Sequence, residues 1–157
     1  MRAWKRVIEP YSRPFFFAWS RLTRGKTLGV RGLVLDKGGR VMLIEHTYLD
    51  GWWLPGGGVD AGETCHDAVA RELREEAGVQ PVGQPKLLSV HSNERFFPGD
   101  HVLVFRVDDW EPVEMTSHNE ISNVGFFAPD NLPATMNGGS LRRIQEALLG
   151  RPVDPTW

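Results

Sequence analysis

The chain has 157 residues, 41% apolar and 24% charged, which suits one globular domain with a real core and leaves too little for two. Its net charge of −2 hides an uneven spread: residues 1–27 carry a net +6 and residues 28–157 a net −8, so the body lacks the basic footprint needed to grip a long nucleic acid. The single cysteine, Cys65, excludes an intramolecular disulfide and a zinc site of several thiolates, and it points to a reducing, cytoplasmic setting.

Pro14 suits the first turn of a helix that runs to about Arg24 and stops at Gly25, with Phe15, Trp19 and Leu22 on one apolar stripe. The stripe is expected to pack on the domain or on a second subunit, as in a homodimer. An interfacial membrane anchor built from residues 1–27 is the unfavoured alternative. The run Phe15-Phe16-Phe17-Ala18-Trp19 is too short for a signal-peptide core, and secretion is not expected.

Leu28–Asp36 and Arg40–His46 read as two strands joined by a hairpin turn at Lys37-Gly38-Gly39. Trp52–Val59, broken by Pro55 and three glycines, reads as loop with short extended pieces. Thr64 as N-cap and Gly78 as stop frame a helix over Cys65–Ala77. Leu87–His91 and His101–Val107 are predicted strands around a loop at His91–Asp100. Val124–Ala128 is a further strand, and Leu141–Leu149 a closing amphipathic helix. This order predicts an α+β fold, a mixed sheet covered by helices. The expected organisation is an arm over 1–27, a domain over 28–150 and a tail over 151–157.

The Cys65–Ala77 helix carries the chemical signal. Cys65, Val69, Leu73 and Ala77 form its core-facing stripe, and Glu72, Glu75 and Glu76 fall within about 100° on that stripe's edge. Three carboxylates at this spacing repel one another, and the last turn of a helix disfavours negative charge. A hard divalent cation with oxygen ligands removes the conflict; magnesium is the first choice and manganese the second. Leu54-Pro55-Gly56-Gly57-Gly58 allows the backbone to approach such an ion or its phosphates closely.

Gly57, five residues, Glu63, seven residues, then Arg71-Glu72-Leu73-Arg74-Glu75-Glu76-Ala77-Gly78-Val79 resembles the Nudix box at every defining position. The resemblance covers about residues 28–150 and implies an α/β/α sandwich with a mixed sheet between helices. It implies a hydrolase of phosphoanhydride bonds, with Glu72, Glu75 and Glu76 and the backbone carbonyl of Gly56 as magnesium ligands. Arg71 would pair with Glu63 to brace the loop against the helix, and Leu73 and Val79 would pack. Glu120, ahead of the last strand, resembles the family's general base outside the box, with Glu76 the alternative inside it and Glu75 a third carboxylate in the chemistry.

Gly57, Gly58, Trp53 and Phe97 are the candidate substrate contacts. The five histidines lack a zinc-type spacing and read as surface or loop residues, and Cys65 as packing. The implied substrate is a small nucleoside diphosphate linked to another moiety, ADP-ribose or a nucleotide sugar first. Pro81, Pro85 and Pro98 do not supply the proline that ADP-ribose-cleaving members often carry after the box. Nucleoside triphosphates and dinucleoside polyphosphates are the alternative substrates. A silent nucleotide sensor is the alternative of another class, and the complete set of carboxylates speaks against it.

Overall fold

The computed structural model describes residues 25–157. The helix predicted before Gly25, and the domain, second-subunit or membrane contacts expected of residues 1–27, lie outside them apart from residues 25–27.

The elements are β1 (Thr27–Val34), β2 (Val41–His46), β3 (Trp52–Trp53), α1 (Cys65–Ala77), β4 (Val79–Pro81), β5 (Lys86–Ser92), β6 (Asp100–Val107), β7 (Trp110–Pro112), β8 (Ile121–Phe127) and α2 (Gly138–Leu149). β6 pairs in parallel with β1 and antiparallel with β5, giving a mixed sheet in the order β1-β6-β5. A second sheet, β3-β2-β8, is antiparallel, and β4 pairs with β7. The Lys37–Gly39 turn forms, closed by hydrogen bonds from Gly38 and Arg40 to Asp36 Oδ1. Its two strands do not continue as a hairpin, however. They part after a single bridge at Leu35–Val41 and join different sheets.

The parting is favourable because both strands are apolar on both faces. Val30 and Val34 of β1 and Met42 and Ile44 of β2 pack with Ala68, Val69, Leu73 and Ala77 of α1 in one core cluster. Alternate residues, Leu33, Leu35, Val41 and Leu43, enter a second cluster with Ile144 of α2. The period-2 alternation of the strands thus buries one face under each helix, the α/β/α arrangement of an α+β domain. β3 is one of the short extended pieces expected within Trp52–Val59, whereas β4 and β7 add to the expected elements. α2 also begins earlier than expected, at Gly138, with Asn137 as its cap.

Two histidines depart from expectation. His91 is fully buried and His46 nearly so, rather than lying at the surface. Cys65 packs against the α1 cluster, as expected of a structural thiol. Among the described residues, no helix is long and apolar enough to cross a membrane.

Candidate active site

The site is built where the loop from Leu54 to Val59 lies along the free edge of β1. Val30 and Gly32 donate to the carbonyls of Gly57 and Pro55, at 2.8 Å each, and Val59 donates to Leu28 at 2.9 Å. Gly56 has φ 140°, and a Cβ there would collide with the Val30 carbonyl, so only glycine allows this approach. α1 stands behind the loop, held at its start by Thr64, whose Oγ1 accepts from Asp67 N, and at its end by left-handed Gly78.

Arg71 ties helix to loop. Its Nε and Nη2 meet the two carboxylate oxygens of Glu63 at 2.9 and 3.0 Å, and Nη2 also donates to the Gly58 carbonyl at 3.1 Å. The Arg71 hydrogen bonds hold the Glu63 carboxyl below the usual range and raise the Arg71 guanidinium in turn. Arg71 Nη1 touches Glu72 at 2.8 Å and Glu75 at 3.6 Å. Burial nonetheless raises the Glu72 pKa, against the pull of Arg71.

Glu76 is the most enclosed of the three carboxylates, 6% exposed, and its Oε2 accepts from Gly56 N at 2.8 Å. Burial pushes its pKa up to about 7; the Gly56 N–H and the Arg31 charge oppose this, while the charges of Glu72 and Glu120 add to it. Glu120 itself lies outside α1, just before β8. It sits in a turn pinned between two elements. Thr116 and Ser117 donate to the Glu75 carbonyl at the end of α1, and Thr47, after β2, donates to the Glu120 carbonyl.

Among the described residues, no three acidic, histidine or cysteine side chains form a ready-made cage for a metal. Glu72 and Glu75 lie against Arg71, and Glu76 faces the Gly56 amide. Magnesium does not require a cage: it keeps several waters and shares one or two carboxylates with substrate phosphates. One buried carboxylate, Glu76, and one half-buried, Glu72, both with raised pKa values and set against a glycine backbone, fit that donor set.

A cleft of about 690 Å³ opens on the other side of the loop. Gly57, Gly58, Trp53 and Phe97 line it, Phe97 exposed and Trp53 half-buried. So do four residues absent from the sequence-based set: Arg31, Asn93, Arg142 and Trp157. Arg31 joins cleft and carboxylates. Its Nη1 donates to the carbonyls of Leu54 and Gly56, its guanidinium lies 5.9 Å from the Trp53 ring centre, and burial lowers its pKa against the charges of Glu76 and Glu72. A lone arginine inside the otherwise apolar Leu28–Leu35 run was the signal that could have found it.

Residues 25–147 match the family model described as NUDIX domain. The chain belongs to the Nudix family. It is thus a hydrolase of phosphoanhydride bonds. It is 27% identical to a "Putative 8-oxo-dGTP diphosphatase" of Bacillus subtilis, over 76% of this chain and 78% of that one. It is 32% identical to an "ADP-ribose pyrophosphatase" of Methanocaldococcus jannaschii, over 64% of this chain and 61% of the relative. In structure it resembles a MutT NUDIX hydrolase from Burkholderia pseudomallei, with TM-score 0.67 and 26% identity over 78% of this chain and 98% of the other.

Proposed function

We propose that this Nudix hydrolase cleaves a nucleoside diphosphate linked to a second moiety, with magnesium as its cofactor, manganese as a substitute and ADP-ribose as the first substrate to test. The observation that carries the reading is the placement of Glu76 against Gly56 and of Glu72 against Gly57, with Glu75 beside Glu72 on Arg71, next to a cleft that holds both aromatic rings and arginines. The archaeal relative's name supports ADP-ribose. The Bacillus relative's name favours a second reading, a nucleoside triphosphate. A lone thiol and an acidic body support action in the cytoplasm on small nucleotides.

Glu72, Glu75 and Glu76, with the Gly56 carbonyl, are the residues that would hold the ion. When bound, magnesium supplies positive charge at the diphosphate oxygens and acidifies water. Water attacks one phosphorus, the bridging P–O bond breaks, and the leaving phosphate keeps the bridging oxygen. Glu120 would take the water's proton, with Glu76 as the alternative acceptor. Arg31 places a fixed positive charge between cleft and carboxylates, where a diphosphate would lie. Arg71 and Glu63 keep loop and helix in register.

The test is incubation with magnesium and a panel of ADP-ribose, nucleotide sugars, dinucleoside polyphosphates and nucleoside triphosphates, with products identified by mass. Nucleoside monophosphate plus sugar phosphate is expected from ADP-ribose. Turnover of triphosphates alone would transfer the assignment to the second reading. No turnover of any compound would leave a nucleotide sensor.

A further inference from the structure

The segment after α2 does not trail into solvent. Ser92 N donates to the Pro155 carbonyl at 2.8 Å and Trp157 N to the Ser92 carbonyl at 2.9 Å, so residues 155–157 lie along the outer edge of β5. The anchor beneath them is a buried ion pair. Arg143 and Glu146, with side chains 1% and 7% exposed, meet at 2.6 Å. Arg143 Nη1 donates to the Thr156 carbonyl at 2.9 Å, Asp154 N donates to Glu146 Oε1 at 3.0 Å, and the buried His91 Nδ1 contacts the Asp154 carbonyl at 2.6 Å. Core packing alone does not call for a charged pair at this depth, because hydrophobic residues of similar volume usually stabilise as well or better. Here each partner of the pair holds the backbone of this segment.

The anchored segment delivers one side chain to the cleft. The Trp157 indole rests on Gly139 in the first turn of α2, where any Cβ would strike the ring, and forms part of the cleft wall. Two further lining residues carry unused polar atoms. Asn93 Oδ1, an acceptor, and Arg142 Nε, a donor, are buried without a hydrogen-bond partner among the described residues. An aromatic ring in the wall of this cleft matches a planar group that can stack on it. The family match ends at residue 147, short of this segment.

We propose that residues 154–157 form a substrate-selecting strap, with Trp157 as the surface on which the nucleobase of the substrate stacks and with Arg143 and Glu146 as the residues that position it. This rests on the nucleotide reading above. Calorimetric titration of full-length protein with AMP, GMP, CMP and UMP in the presence of magnesium tests it without needing turnover. Wild type is expected to bind at least one of the four. Trp157→Leu, which keeps apolar cover but removes the flat ring, is expected to weaken that binding about tenfold or more, and Trp157→Phe to restore most of it. For whichever substrate is cleaved, Trp157→Leu should raise KM and leave kcat near wild type.

Binding by Trp157→Leu as tight as wild type overturns the proposal, as does a Trp157→Phe loss equal to that of Trp157→Leu, or no binding of any monophosphate by wild type. If Trp157→Leu does not fold, Asp154→Ala gives the comparison. It removes the Oδ1 that accepts from Thr156 N and Oγ1 at 2.9 and 2.8 Å at an exposed site, and it should weaken binding in the same direction; unchanged binding overturns the proposal. Absence of turnover across the substrate panel counts against the hydrolase assignment alone.

Discussion

A Cβ on residue 57 would stand 2.5 Å from Oε1 of Glu72. The absent side chain of Gly57 is thus the space in which a candidate metal carboxylate sits. Gly57→Ala must push that carboxylate aside, and displacement of about an ångström in such a site costs on the order of a hundredfold in rate. The expected result is a kcat/KM loss of about that size with a folded protein by circular dichroism. Gly58→Ala, whose Cβ meets nothing within 4 Å, should leave the melting temperature unchanged.

Glu76 sets a pH dependence of stability in the metal-free protein. Its folded pKa of about 7 lies above the usual 4.5, so the fold prefers its protonated form. The stabilisation is fully present below pH 4.5 and is lost as pH rises through about 7, an effect of about 3 kcal/mol. Glu76→Gln, uncharged throughout, should melt higher than wild type above neutrality and lack this slope. It should also be nearly inactive. Thermal melts in a chelator across pH 5 to 9 check it; parallel curves for the two proteins would contradict it.

Glu120 and Glu76 compete for the role of proton acceptor. Glu120→Gln is expected to lower kcat by about a hundredfold or more while KM and the magnesium requirement stay near wild type. If Glu120→Gln keeps the wild-type rate, the base is Glu76.

Arg71 and Glu63 join through two parallel hydrogen bonds, which lysine cannot make. Arg71→Lys keeps the charge and loses the fork. Stability should fall by about 1 kcal/mol, and apparent magnesium affinity by about tenfold, because the loop carrying Gly56 and Gly57 is no longer held to α1. A melt and a magnesium titration read both.

Some of this was legible in sequence because it is local. The α1 helix, from its Thr64 cap to its Gly78 stop, is specified within fifteen consecutive residues, and the strain of three glutamates near its end shows in spacing alone. The apolar β-rich runs on either side of Lys37-Gly38-Gly39 marked β1 and β2 as strands but did not mark their partners. With both faces apolar, nothing in either strand marks whether it continues a hairpin or joins another sheet. Arg31, Asn93, Arg142 and Trp157 come together only through the parallel β1–β6 pairing, the return of α2 and the strap on β5. No short window contains two of them. The box therefore spoke for the reaction, and the cleft had to wait for the fold.

The most direct test of the central claim is the initial rate of hydrolysis against magnesium concentration for wild type, Glu72→Gln and Glu75→Gln. Because the carboxylates would hold the ion that the reaction needs, activity should vanish in a chelator. Each variant should need about tenfold more magnesium or greater for half its maximal rate. Hydrolysis that persists without magnesium, or a midpoint unmoved in both variants, would contradict the account.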